Sequence, residues 1–173
     1  MSEKNMTIAG MCTAAHSMAK ALFLDRDGTI NVNYGYVHEP SRFHFIDGIF
    51  ELCKNAQAQG YKLIVISNQS GVARGYYTLE QMNRCNAYMC AEFAKRGVVI
   101  DDVLCCTAVD DADPDRKPNP GLFLKAIARH GIDPDRSVAI GDSDRDTAAA
   151  RASGVRRVYQ LGTGACAVLP CKI

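Results

Sequence analysis

Residues 21–29 read Ala-Leu-Phe-Leu-Asp-Arg-Asp-Gly-Thr, an apolar run that ends in two carboxylates one residue apart, Asp25 and Asp27. At the end of a buried strand both would lie on the carboxyl edge of a sheet, where open α/β folds bind their ligands. Carboxylates crowded there repel each other unless a cation sits between them, and hard Mg²⁺ favours oxygen ligands of this kind. Gly28 lets the chain turn sharply and leaves amide hydrogens free to face an anion. Three more polar groups follow apolar runs: Ser67-Asn68 after 62–66, Arg116-Lys117-Pro118 beyond 98–106, and Asp142 with Asp146 after 137–140. Each has an ordinary reading as a turn, a solvated charge or a helix cap. All of them at strand ends, in order, point to one shared active site.

The elements that must position these groups alternate between strand and helix patterns. That order argues a Rossmann-like α/β/α three-layer sandwich around a mainly parallel sheet, with connections too short for a separate cap domain. Between the first two strands, a helix is expected to turn Ile46, Ile49, Phe50, Cys53 and Ala56 inward and to stop at Gly60. Thr78 and Gln81 form a capping-box start for a second helix, with Leu79, Met82, Met89 and Phe93 on its apolar face. The third strand, within 98–106, is interrupted by Asp101-Asp102. Asn119-Pro120 opens a helix that turns Leu122, Phe123, Ala126 and Ile127 inward, and an Ala-rich helix ends at Gly154 before a last strand over 155–161.

The bulk composition bounds the function. The chain has 173 residues, 47% hydrophobic and 23% charged, with a formal net charge of +1. Near neutrality gives no electrostatic case for nucleic acid or an anionic membrane, and no apolar run approaches a bilayer span. Residues 1–18 are expected to be a flexible extension, too polar for a signal peptide, and 19–173 one domain of a cytoplasmic protein. The eight cysteines lack disulfide-scaffold spacing and read as reduced, small apolar residues.

Together these motifs resemble the haloacid dehalogenase superfamily of phosphatases, over about residues 21–161. The resemblance implies Asp25 as the nucleophile that forms an aspartyl-phosphate and Asp27 as general acid, then base. It implies Mg²⁺ held by the Asp25 carboxylate, the Asp27 backbone carbonyl and Asp142. Ser67 and the Asn68 amide would hold phosphoryl oxygens, Lys117 would neutralise their charge, and Asp146 would orient Lys117 or metal-bound water.

The stretches Gly35-Tyr36-Val37-His38-Glu39, Ser67-Asn68-Gln69-Ser70-Gly71 and Arg116-Lys117-Pro118 are similar to those of the heptose 1,7-bisphosphate 7-phosphatases, relatives of the histidinol-phosphate phosphatases. A step in making heptose for bacterial surface glycans such as lipopolysaccharide is implied. Arg116 has the fork geometry for a second phosphate, Arg74 would join it on the rim, and Asn33, Tyr34, Gly35 and Tyr36 would form the loop over the sugar. Gln69 and Ser70 belong to the same substrate-binding set. Members of that family usually carry a zinc loop before Arg-Lys-Pro. Here Cys106 keeps the first position, Ala108 replaces the histidine, and Asp113 and Asp115 stand where the later cysteines would be. One thiol and two carboxylates are a poor tetrahedral set, so no structural zinc is expected.

Histidinol phosphate or another small phosphorylated metabolite is the alternative substrate. A nucleic-acid phosphatase is disfavoured by charge, and a non-catalytic binding module by the intact set of Asp25, Asp27, Lys117 and Asp142. Monomer and small homo-oligomer both remain open.

Overall fold

The apolar runs pair into one five-stranded, all-parallel sheet. The structure is a computed structural model that describes residues 18–162, so nearly all of the expected N-terminal extension and the tail from 163 lie outside the described residues. In chain order the strands are β1 (Lys20–Leu24), β2 (Tyr61–Asn68), β3 (Asp102–Cys106), β4 (Val138–Gly141) and β5 (Arg157–Gln160). Across the sheet the order is β3-β2-β1-β4-β5, which puts β1 at the centre. Leu22 lies in register with Leu63 on one side and Val138 on the other.

Side chains alternate between the two faces of a strand, so each central strand feeds two cores. Leu22, Leu24, Leu63, Val65, Val138 and Ile140 pack on one face, with residues of α1 (Ile49–Ala58) and α2 (Leu79–Ala94). Ala21, Phe23, Ile64, Ile66 and Ala139 pack on the other, with residues of α3 (Gly121–His130) and α4 (Asp144–Ala152). This is the expected three-layer sandwich. Each large aliphatic side chain buried this way contributes about 1.5–3 kcal/mol.

The helix boundaries follow local chemistry. Thr78 and Gln81 make the reciprocal capping box at the start of α2, and Gly131, with φ 59°, ends α3. Two inward positions differ from expectation. Ile46 precedes α1, because the chain turns at Gly48 with φ 83°. Leu79 is exposed: as the first residue after the cap it points away from the core that Met82, Met89 and Phe93 enter. Asp101 precedes β3 rather than interrupting it, and its carboxylate accepts from the Leu63 amide at 2.8 Å and Lys62 Nζ at 3.1 Å.

The longest connection, between β1 and α1, carries only a single 3-10 turn at Pro40–Arg42, and no separate cap interrupts the sheet. Among the described residues no helix is long and apolar enough to cross a membrane.

Candidate active site

The carboxyl ends of β1, β2 and β4 meet at a cavity of about 300 Å³ whose wall includes Asp25, Asp27, Ser67, Asn68, Lys117, Asp142 and Asp146. Asp25 directly follows β1 and continues its ladder, its amide donating to the Ile140 carbonyl at 3.0 Å. Lys117 arrives from farther away. It lies on the loop after β3, not on a strand end, and reciprocal hydrogen bonds draw that loop across the sheet edge. The Lys117 amide donates to Asn68 Oδ1 at 3.1 Å, and Asn68 Nδ2 donates to the Lys117 carbonyl at 3.0 Å.

Lys117 is 2% exposed. Its Nζ lies 2.6 Å from Asp25 Oδ1, 2.5 Å from Asp146 Oδ1 and 2.7 Å from the Ile66 carbonyl. Burial works against this charge, but Asp25 and Asp146 more than offset it and hold the lysine above its ordinary range. Asp146 is likewise opposed by burial, yet Lys117 and the donors of Ser143 keep it below the usual carboxylate range. Those donors are the Ser143 hydroxyl at 2.6 Å and its amide at 3.0 Å, so Asp146 also caps its own helix.

The other two acids behave oppositely. Burial, together with the nearby Asp146 charge, pushes Asp25 up to about 7 and Asp142 up to about 6. Carboxylate oxygens of Asp25, Asp142 and Asp146 lie within 4.8 Å of one another. Three carboxylates against one lysine leave negative charge uncompensated, which is the environment of a hard divalent cation. The fit extends to the backbone. A Cβ on Gly28 (φ 95°) would lie 1.9 Å from Asp142 Oδ2, so only glycine lets the Asp27-Gly28 turn pass this carboxylate. The donor set therefore suits an oxygen-preferring metal.

Asp27 is held by four donor contacts. Arg26 Nη2 at 2.9 Å, Arg26 Nε at 3.2 Å and Gln69 Nε2 at 2.7 Å reach its Oδ2, while Asn31 Nδ2 reaches Oδ1 at 3.0 Å. Arg26 is fully buried, and the desolvation of its guanidinium is outweighed by Asp27.

The residues expected around the substrate divide. Asn33 and Arg116 line the cavity, whereas Tyr34, Gly35, Tyr36, Gln69, Ser70 and Arg74 are not part of its wall. Tyr34 stands edge-on to His44 at 5.5 Å and Tyr36 edge-on to Tyr76 at 4.7 Å, both well exposed. Tyr36 has φ 51°, a conformation costly for an aromatic residue and concentrated at functional loops. Arg116 is less free than its sequence suggests, because Nε pairs with Asp111 Oδ1 at 2.8 Å and Nη1 donates to the Ala108 carbonyl at 2.9 Å.

Two cavity residues escaped the sequence reading, Ser143, which donates to Asp146, and Arg145. Arg145, in the first turn of α4, lines the wall and grips both oxygens of Asp111, at 2.7 and 2.9 Å. Asp111 thus bridges Arg116 and Arg145, and the two guanidinium groups draw its carboxyl well below the usual range. Asn119 Nδ2 fixes the same loop through the carbonyls of Asp111 and Asp113, both at 2.8 Å. Asp113 and Asp115 are also engaged: Asp113 Oδ1 accepts from the Asp115 amide at 2.8 Å, and Asp115 pairs with Lys125.

A parallel sheet with a lysine wedged between two acids at its carboxyl edge defines a class. Residues 32–154 match the haloacid dehalogenase-like hydrolases, and the chain belongs to that family as one of its phosphatases. Within the family its likeness narrows. It is 39% identical over 154 residues to the D-glycero-beta-D-manno-heptose-1,7-bisphosphate 7-phosphatase of Pasteurella multocida, covering 85% of this chain and 84% of that one. It is 44% identical over 127 residues to the D-glycero-alpha-D-manno-heptose-1,7-bisphosphate 7-phosphatase of Campylobacter jejuni, covering 73% of each. The crystal structure of the D,D-heptose 1,7-bisphosphate phosphatase of B. bronchiseptica, complexed with magnesium and phosphate, aligns at a TM-score of 0.73 and 30% identity. That alignment covers 78% of this chain and 76% of the other.

Proposed function

We propose that this chain removes the C7 phosphate of a D-glycero-D-manno-heptose 1,7-bisphosphate through an aspartyl-phosphate on Asp25. The observation that carries the reading is the buried Asp25–Lys117–Asp146 array at the base of a polar cavity, in a chain 39% identical over 154 residues to the Pasteurella heptose bisphosphatase.

The chemistry needs two in-line displacements. In the first, an Asp25 carboxylate oxygen forms a bond to phosphorus as the bond to the ester oxygen breaks. That oxygen takes a proton from the Asp27 carboxyl and leaves as the sugar hydroxyl. In the second, the Asp27 carboxylate takes a proton from water while the water oxygen bonds to phosphorus. The phosphorus–Asp25 bond then breaks, releasing inorganic phosphate and restoring both acids. Lys117 and Ser67 face the phosphoryl oxygens, where fixed donors and charge stabilise the transition state. Asp25, Asp142 and the Asp27 backbone carbonyl would hold Mg²⁺, which when bound supplies Lewis-acid compensation of phosphate charge. Asp146 serves mainly to orient Lys117.

Arg116 and Arg145 give the cavity wall two further cations, suited to the phosphate that is not cleaved. The loop between Cys106 and Arg116 is braced by ion pairs and carbonyl hydrogen bonds.

The test is Mg²⁺-dependent phosphate release from both anomers of heptose 1,7-bisphosphate, with histidinol phosphate alongside and Asp25→Asn as control. Preferred turnover of one bisphosphate anomer is expected. Flat, weak turnover of all three would sink the heptose assignment while leaving the phosphatase chemistry standing.

A further inference from the structure

Gln69 is grouped by sequence with the substrate contacts, yet it is absent from the cavity wall and only 2% exposed. Its amide is spent on other residues. Nε2 donates to Asp27 Oδ2 at 2.7 Å and to Ser67 Oγ at 2.9 Å, and Oε1 accepts from the Tyr77 hydroxyl at 2.7 Å. The Asp27 carboxylate, which only accepts, fixes which end of the amide is nitrogen, and the Tyr77 hydroxyl then donates to the oxygen end and holds it there.

Tyr77 is itself located by its surroundings. A Cβ at position 71 would lie 2.1 Å from its ring, so Gly71 makes room for it, and His38 stacks on it at 4.7 Å. The neighbouring Val37 carbonyl accepts from Arg26 Nη2 at 2.5 Å, and the same nitrogen reaches Asp27. Two adjacent residues of the β1–α1 loop are therefore joined to one carboxylate by separate routes.

We infer that Gln69, oriented by Tyr77, is a positioning residue for Asp27 rather than a substrate contact. Arg26 and Gln69 together fill Asp27 Oδ2, whereas among the described residues Oδ1 accepts only from Asn31. Oδ1 is thus the oxygen left to carry a proton to the leaving group, and Gln69 stops the carboxyl from rotating it away. Proton transfer requires this geometry before any acidity matters. The inference rests on the acid role proposed above for Asp27.

The experiment compares first-turnover rates on two esters. The phenolate of p-nitrophenyl phosphate departs without a proton, whereas the alkoxide of heptose 1,7-bisphosphate requires one. Asp27→Asn is expected to slow the sugar ester about 10³-fold and the aryl ester less than about tenfold. Gln69→Leu is expected to reproduce that contrast, with about 10²-fold loss on the sugar ester and at most about threefold on the aryl ester. Tyr77→Phe removes one hydroxyl and no ring volume, and reads the same contrast at about tenfold should Gln69→Leu prove too unstable to purify. Equal losses on both esters in the Gln69 and Tyr77 variants, or a change in KM alone, would overturn the positioning role. Equal losses in Asp27→Asn as well would overturn the acid reading and the inference with it.

Discussion

The base of the cavity and its rim are built on different physical principles. At the base, Asp25, Lys117 and Asp146 are almost wholly buried and hold one another through charge at 2.5–2.6 Å. At the rim, Tyr34 and Tyr36 rest edge-on against other exposed rings, and Asp111 pairs with Arg145 where both meet solvent. A buried charge that loses its partner is left unsolvated, so the costliest single change at the base is loss of Lys117, the partner of both acids. An exposed pair contributes little and is readily exchanged. The contrast separates chemistry, which is fixed, from recognition, which can drift.

The sharpest test of the base is Asp25→Asn, expected to lower phosphate release by about 10⁴-fold or more while leaving the fold intact. Loss of less than about tenfold would remove Asp25 as the nucleophile. Lys117→Met should act on both function and fold. It leaves Asp25 and Asp146 facing each other unpaired, with an expected loss of about 3–5 kcal/mol in urea unfolding and about 10²-fold or more in turnover. A variant as stable as the parent would mean the buried pairs are not what holds the base together.

Metal and pH probe the same region. In the metal-free protein Asp25 and Asp142 are raised from 3.8 to about 7 and about 6. Across that window the folded chain keeps protons that the unfolded chain has released. The contribution of these two acids to stability is therefore present at low pH and lost as pH rises through their folded values. Mg²⁺ should compensate the charge thus created, so the Tm increase on adding MgCl₂ is expected to be larger at about pH 8 than at about pH 5. An increase independent of pH would separate metal binding from these acids.

At the rim, Arg145→Ala is expected to raise KM for the bisphosphate about tenfold, with less than about twofold effect on p-nitrophenyl phosphate. Equal changes on both would place Arg145 outside recognition of a second phosphate. Tyr34→Ala should be the mildest, within about 0.5 kcal/mol in stability and about twofold in KM. A larger effect would move Tyr34 from the rim's replaceable parts to its essential ones.

The same division decided what could be read in the sequence. The strands and the polar groups Asp25, Asp27, Ser67 and Asp142 were legible because an apolar run and its carboxyl end are adjacent in the chain, and parallel topology then fixes their meeting place. Lys117 was recognisable by motif, although only the structure shows Asn68 drawing its loop to the sheet edge. Arg145 was invisible because its partner Asp111 lies on a different element, 34 residues away. Arg116 read as a free fork for the same reason: nothing local announces Asp111 or the Ala108 carbonyl. Gln69 carried the right motif, but its function is set by Tyr77 and Asp27, whose directions no spacing encodes. Leu79 satisfied the helical period yet faces solvent, since a cap fixes where a helix begins more firmly than a pattern fixes what its first residue touches.

The central place of β1 also has a kinetic meaning. Paired on both sides and covered on both faces, its amides should exchange with solvent only when the whole sheet opens. The loop from Asn31 to Phe45, which lies outside the sheet ladder and carries only isolated bridges and scattered hydrogen bonds, can open by itself at much lower free energy. Deuterium should therefore enter the loop long before it reaches Leu22–Leu24. In such an opening the nucleophile stays in place while the chain around the substrate lets go, so departure of the sugar need never disturb the carboxylate that has just taken its phosphate.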